Sequence, residues 1–348
     1  MTTARIVGHG SALPRAMDHS AMWDEFFAGH YANNPIAAKV WASAGITTRH
    51  AVADPRHEDV SSWGTGARME RFAQDAPPLG HAAVTAALAD AELDASEVGL
   101  FAVVSCTGYA TPGLDILLAR DLGMSADVQR LCIGHMGCYA AIPGLGAVSD
   151  FVVARGKAAV LLCLELTSLH IQPATDSVQQ MVAHALFADA AAAVVVVPSS
   201  TGRPGLDILD VSARTDVTTL DHMTWDVTDL GFRMGLSPRV PDVLARHARP
   251  VVSDLLDQHG LAITDIGGWA VHPGGRRIVE VVAAELDLPE TAVSASYDVL
   301  RDVGNCSSAT VLLVLDRVRK GLDVGDPVVA MAFGPGLTLY NALLRLSA

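Results

Sequence analysis

L-D-A-S-E-V-G-L-F-A-V-V, Leu93–Val104, recurs without a gap as L-A-I-T-D-I-G-G-W-A-V-H, Leu261–His272, an offset of 168 residues. Apolar, acidic and glycine positions coincide between the two. The segments that precede them align at the same offset, His81–Glu92 on Arg249–Gly260, with Leu88 falling on Leu256. Downstream, M-G-C-Y-A-A around Cys138 falls opposite V-G-N-C-S-S around Asn305, and G-K-A-A-V-L-L-C from Gly156 falls opposite G-D-P-V-V-A-M-A from Gly325. Three blocks at nearly one spacing mark two copies of a strand-and-helix unit. Neither copy can cover its own sheet, so the two are expected to pack about a pseudo-twofold axis into a layered α/β body of αβαβα type. Residues 1–199 form the half that carries Cys138, residues 200–348 the half that carries His272 and Asn305, and Pro198–Pro204 reads as the linker.

Outward from the repeat, periodicity predicts that Ala4–Leu13 begins with a short strand and that further strands lie at Gly99–Ser105, Ala158–Glu165 and Ala190–Val197. Helices are expected at Met22–His30, Ile36–Ala44, His81–Ala91 and Leu114–Leu122, and from about Tyr139 to Ala154. Asp54–Gly66 reads as a surface loop, and the stretch between Glu165 and Ala190 as a polar crossing. Pro143 falls early enough in the central helix to restrict its first turn without breaking it.

The chain has 348 residues, half of them hydrophobic and 18% charged, enough for a large core. A net charge of −14 with no basic run argues against nucleic acid or an anionic membrane as partner. Five cysteines scattered through apolar segments do not form a disulfide framework, and the first residues lack a signal peptide's apolar stretch. The valine-rich runs are too short to span a bilayer. The expected setting is the cytoplasm.

Cys138 precedes the central helix, whose N-terminal partial charge favours a thiolate. The pseudo-twofold axis brings the helix after Asn305 beside it and aims the strand ending at His272 toward the same region. His272 is followed by P-G-G, a tight turn that permits close approach to the imidazole. The trio suits acyl transfer followed by carbon–carbon bond formation. The thiolate, kept ionised by His272, takes an acyl group from a thioester, and His272 and Asn305 then stabilise the enolate left when a second thioester loses carbon dioxide. Cys-His-Asn also serves papain-like hydrolysis, which the duplicated α/β layout disfavours. A catalytically silent scaffold would not need all three residues. No metal site and no cofactor beyond thioester substrates are expected.

The motifs S-C-T-G-Y-A-T-P-G-L-D from Ser105, M-G-C-Y-A-A from Met136, H-A-L-F-A-D-A-A-A-A-V from His184, W-A-V-H-P-G-G from Trp269, G-N-C-S-S-A-T from Gly304 and F-G-P-G-L-T from Phe333 run in this order through the chain. Together they resemble the type III polyketide synthases, related to chalcone synthase within the thiolase-like superfamily. H-P-G-G and G-P-G-L-T are less like ketoacyl carrier-protein synthase III, whose histidine motif reads H-Q-A-N. The resemblance implies a thiolase-like fold, with Cys138 as nucleophile and with His272 and Asn305 driving decarboxylation. It implies that Phe187 and Phe232 separate a substrate tunnel from an elongation cavity, and that Cys106, Thr167, His170 and Ser307 line that cavity. Thr111 would reach toward a partner's active site, hence a homodimer.

The substrates implied are an acyl-CoA starter and malonyl-CoA, with cyclisation of a short polyketide to follow. The basic residues that bind the nucleotide end of coenzyme A in the family are reduced here to Lys39, while Arg276 and Arg277 follow H-P-G-G and are candidates to meet a phosphate at the tunnel mouth. The alternative this leaves open is a single-round, ketoacyl synthase III-like condensing enzyme or acyltransferase that takes its acyl group from an acyl carrier protein.

Overall fold

Runs of small and β-branched residues become strands buried on both faces, as in Ala158–Glu165, where all eight residues are buried. The structure, a computed structural model, describes residues 3–348. The strands in chain order are β1 (Ala4–Ala12), β2 (Ala16–Asp18), β3 (Thr48–His50), β4 (Val98–Ser105), β5 (Gln129–Gly134), β6 (Ala158–Glu165), β7 (Ala190–Pro198), β8 (Gly205–Thr215), β9 (Met223–Thr228), β10 (Gly231–Leu236), β11 (Gly268–Val271), β12 (Pro327–Gly334) and β13 (Thr338–Ser347). The α-helices are α1 (His19–Met22), α2 (Ala28–His30), α3 (Pro35–Ala42), α4 (Thr65–Asp90), α5 (Leu114–Asp121), α6 (Ala141–Arg155), α7 (Val178–Leu186), α8 (Val240–Asp257), α9 (Arg276–Glu285), α10 (Ser294–Asp302) and α11 (Ala309–Arg319).

Nine strands form one continuous sheet in the order β11-β12-β13-β8-β1-β7-β6-β4-β5. The pairing pattern repeats across its middle. β4 runs parallel to β6, which is antiparallel to β7, itself antiparallel to β1. In the same way β11 runs parallel to β12, antiparallel to β13, itself antiparallel to β8. β1 and β8 join the two sets at the seam, with Ala4 opposite Ile208. Alternation along each strand then supplies two apolar faces. The inner faces of both sets enclose α6 and α11 in one core that includes Leu145, Val148, Leu312 and Leu315. α4 covers the outer face of the first set, and α8 and α9 cover that of the second. The layers are therefore αβαβα, as the duplication implies. α4 lies so close to β1 that a Cβ on Gly10 would come within 2.2 Å of the Ala83 carbonyl oxygen, which explains a glycine in mid-strand.

The strands expected at Gly99–Ser105, Ala158–Glu165 and Ala190–Val197 agree with β4, β6 and β7 to within a residue, and the short strand expected at the start of Ala4–Leu13 is longer, running to Ala12. The central helix begins at Ala141, after a turn through Cys138, and holds Pro143 in its first turn. Elsewhere the structure departs from expectation. The helix read at His81–Ala91 is the last part of α4, which starts at Thr65 and continues through Pro77 and Pro78. Met22–His30 is joined to α1 through a π-turn at Trp23–Phe27. The first part of the crossing after β6 is buried, with Thr167, Ser168, His170 and Gln172 each finding hydrogen-bond partners inside, and residues 174–179 of it are exposed. The Asp54–Gly66 loop likewise buries Asp54, Val60 and Ser61. No helix among the described residues is long and apolar enough to cross a membrane.

Candidate active site

Cys138, His272 and Asn305 line one cavity of about 540 Å³, together with Phe187, Arg276 and Arg277. The volume lies in the range of small-molecule sites. Each element delivers its residue for a local reason. Gly137, at φ +82°, turns the chain after β5 so that Cys138 comes just ahead of α6. β11 ends one residue before His272, whose backbone N–H donates to the Met331 carbonyl at 2.8 Å and so carries the contact with β12 one residue further. Asn305 crosses to the other half: its N–H donates to the Leu186 carbonyl at 3.0 Å, and its own carbonyl accepts from the Ala188 N–H at 2.9 Å, on either side of Phe187. Arg49, buried, donates to the His184 carbonyl at 2.9 Å and to the Phe187 carbonyl, fixing the other side of that segment.

The Asn305 carboxamide has one possible orientation. The Ser307 N–H can only donate, and it meets Oδ1 at 2.9 Å, so the amide nitrogen faces the other way, with a long 3.4 Å contact to the Gly274 carbonyl. Nδ2 is a donor with capacity to spare. His272 is 1% exposed, and neither ring nitrogen has a hydrogen-bond partner. Burial holds its pKa down to about 3. Burial likewise pushes the Cys138 thiol up to about 12, against the opposing pull of the Ser307 hydroxyl. A lone thiolate or a lone imidazolium is thus disfavoured, whereas a thiolate and an imidazolium formed together compensate one another.

Inward of Cys138 the space narrows. Cys106, Thr167 and Ser307 share with Cys138 and Phe187 a pocket of about 20 Å³. Phe187, Phe232, Thr167 and His170 border another of about 40 Å³. Each takes about one water molecule. Phe232 is 2% exposed and borders only the inner space, so the aromatic pair does not stand together at the large cavity. His170 closes this end as a strut. Its Nδ1 accepts from the Phe232 N–H at 3.0 Å, which leaves Nε2–H to donate to the Thr107 carbonyl at 2.7 Å, and its ring stacks on Phe232 at 4.5 Å. Trp225 caps the same end and donates to the Cys106 carbonyl at 2.7 Å.

Thr111 and Lys39 lie outside these spaces, whereas Arg276 and Arg277 stand in the wall of the large cavity. Thr111 is exposed, next to the cis Thr111–Pro112 bond. Lys39 is exposed on α3, one residue from cavity-lining Val40. Arg276 pairs with Glu280 at 2.9 Å, and Arg277 has no ion-pair partner among the described residues.

Sequence reasoning missed Glu165. This fully buried carboxyl at the end of β6 accepts from the Cys106 N–H at 3.0 Å, the Thr107 hydroxyl at 2.9 Å and the Ser308 hydroxyl at 2.6 Å. Burial raises its pKa despite those donors. The available signal was an acid closing an otherwise apolar strand, L-L-C-L-E. No cluster of three or more His, Cys, Asp or Glu among the described residues could hold a metal ion.

The chain is similar to known proteins over nearly its whole length. Residues 51–200 match the family model of the N-terminal domain of chalcone and stilbene synthases, and residues 212–347 that of the C-terminal domain. The chain is 36% identical over 320 residues to 1,3,6,8-tetrahydroxynaphthalene synthase of Streptomyces peucetius, covering 90% of this chain and 84% of that protein. It is 32% identical to the α-pyrone synthesis polyketide synthase-like Pks18 of Mycobacterium tuberculosis, covering 88% and 81%. Among solved structures, PKS-I of the brown alga Ectocarpus siliculosus superposes with a TM-score of 0.93 at 28% identity, over 99% of both chains. The tetrahydroxynaphthalene synthase of Streptomyces coelicolor superposes at 0.92 with 27% identity, also over 99% of both. With an αβαβα body, a shared Cys-His-Asn cavity and both family domains matched in order, the chain belongs to the chalcone and stilbene synthases, the type III polyketide synthases.

Proposed function

We propose that this enzyme loads an acyl group from a CoA thioester onto Cys138, extends it by decarboxylative condensation with malonyl-CoA, and releases a short cyclised polyketide. The observation that carries the reading is the shared cavity of Cys138, His272 and Asn305, in which the imidazole has no partner of its own. In the loading step the Cys138 sulfur attacks the thioester carbonyl while its proton passes to His272. The imidazolium returns that proton to the departing CoA sulfur. In the extension step the Asn305 Nδ2–H and the imidazole N–H donate to the malonyl thioester oxygen. The bond to the carboxylate breaks, carbon dioxide leaves, and the enolate carbon attacks the acyl carbonyl, freeing the Cys138 sulfur.

The inner spaces of about 20 and 40 Å³ favour few extensions over many. Arg276 and Arg277 at the cavity, with Lys39 nearby, are the candidate phosphate contacts. The scheme consumes only thioesters, so dialysis against EDTA should leave turnover unchanged; loss of turnover restored by a divalent metal would contradict it. The enzyme works as a homodimer: β5 ends the sheet, pairs only with β4, and leaves Leu131 37% and Tyr109 45% exposed beside Thr111. Five free cysteines suit the reducing cytoplasm.

The direct test is product analysis by mass spectrometry with an acyl-CoA panel and malonyl-CoA. Cys138→Ala should lose all condensation while keeping its circular dichroism spectrum. Unchanged product formation would eliminate the proposal.

A further inference from the structure

Segments distant in sequence wall the space of about 20 Å³ just inward of Cys138: Cys106 and Thr107 after β4, Gly137 and Cys138 after β5, and Trp225 on β9. How these segments are held sets the direction in which an acyl chain runs from the Cys138 sulfur. One side chain joins them. His135 directly follows β5, in the turn that leads to Cys138, and is bonded through both ring nitrogens. The Trp225 carbonyl can only accept, so Nε2–H donates to it at 3.0 Å, which leaves Nδ1 to accept the Tyr109 O–H at 2.6 Å. Tyr109 belongs to the same loop as Cys106, and the Trp225 indole N–H donates to the Cys106 carbonyl at 2.7 Å. The bonds close a circuit from the nucleophile's turn to the β9–β10 hairpin, on to the Cys106 loop, and back through Tyr109 to the turn.

The backbone at His135 is constrained as well. Its φ of +58° lies in the left-handed region, where residues other than glycine are uncommon. His135 is exposed, so burial of the ring does not offset that conformation, whereas its two hydrogen bonds do. The pair also buttresses the second strand of the hairpin, because the His135 and Tyr109 rings lie 5.5 and 5.9 Å from the Phe232 ring.

We infer that His135 is a positioning residue for condensation. By bridging Tyr109 and Trp225 it fixes the nucleophile's turn against the hairpin, so that the acyl carbon on Cys138 faces the enolate formed at His272 and Asn305. It acts through Cys138 and Trp225, not on the substrate. The inference rests on the condensing reading above. Acyl loading needs only an accessible sulfur and an acceptor for its proton. Condensation needs two carbons aligned at about 3–3.5 Å, so it is the step that a loosened turn slows.

The test separates the ring from the turn. His135→Gly keeps a residue at ease with positive φ and deletes both bonds, while His135→Gln keeps a donor and an acceptor at similar reach. In single-turnover kinetics with an acyl-CoA and then malonyl-CoA, His135→Gly should load Cys138 at the wild-type rate and condense about tenfold more slowly. His135→Gln should recover most of that loss. Tyr109→Phe, at an exposed position, should show part of the loss and add nothing in the His135→Gly background, because the two residues form one brace. Hydrogen–deuterium exchange gives a readout independent of the chemistry: residues 106–109 and 223–227 should exchange faster in His135→Gly and not in His135→Gln. Wild-type condensation in His135→Gly, equal losses in the Gly and Gln variants, loading slowed as much as condensation, or unchanged exchange would overturn the proposal. A wild type that loads but never condenses would refute the condensing reading instead, and exchange would still decide whether His135 holds the hairpin.

Discussion

A sulfur enclosed away from water and an imidazole with two unpaired nitrogens each resist charge alone, and this sets the chemistry at the residue scale. Burial pushes the thiol up to about 12 and the imidazole down to about 3, so on the proposed mechanism nucleophilic sulfur forms as His272 takes the proton. His272→Gln should therefore slow iodoacetamide labelling of Cys138 at pH 7 by tenfold or more, with reactivity returning only as pH climbs toward about 12. A wild-type rate in the variant would show that the thiol needs no partner. In the proposed scheme Asn305, whose Nδ2 is turned outward by the Ser307 N–H on Oδ1, acts in the extension step. Asn305→Ala should leave acyl loading intact and lower condensation by about 10²–10³-fold, read by single-turnover kinetics. These three residues were legible in the sequence because the repeat sets Cys138 opposite Asn305 and the second strand ends on His272. Glu165 was not, since its partners Cys106, Thr107 and Ser308 come from two distant segments that no periodicity links.

At the scale of elements, the β9–β10 hairpin is the roof of the inner space, and His170 holds it. The ring satisfies the Phe232 N–H and the Thr107 carbonyl at once. His170→Ala should leave both unpaired and cost about 2 kcal/mol, seen as a lower midpoint in denaturant. By merging the small inner spaces it should also shift products to longer polyketides by mass spectrometry. Products of unchanged length would mean that another wall limits growth.

The outer edge of β5 bears on assembly in the same way. On the proposed homodimer, Leu131→Lys should give a monomer in sedimentation, whereas a dimer that persists in the variant would place the interface elsewhere. Strands were easier to read than helices. Valine-rich runs announce their own boundaries, but the Pro77–Pro78 pair reads as a helix stop, and only packing of α4 against β1, β6 and β7 carries the helix through it. The exposed strand β5 and the buried crossing at Thr167–Gln172 escaped notice for a related reason: their burial is set by neighbours distant in sequence, not by local pattern.

For the whole molecule, the duplication fixes both architecture and acid sensitivity. Layers packed on both sheet faces leave His19 and His170 inside, and burial lowers the pKa of each to about 3. The unfolded chain, with ordinary histidines, binds more protons between pH 6.5 and 3, so stability is full above about 6.5 and falls as pH drops. Each histidine should cost about 2 kcal/mol by pH 5, which predicts a steep loss of thermal midpoint from pH 6.5 to 5 and a shallower loss in His170→Gln. The claim on which the account depends is that one cavity joins a sulfur from the first half to an imidazole and a carboxamide from the second. Intact-protein and peptide mass spectrometry of the chain after exposure to an acyl-CoA, then malonyl-CoA, tests it most directly. The account predicts a single acyl adduct on the Cys138 peptide, discharged by malonyl-CoA in the wild type and retained in Asn305→Ala. An adduct on another residue, or one discharged equally in both proteins, would contradict it.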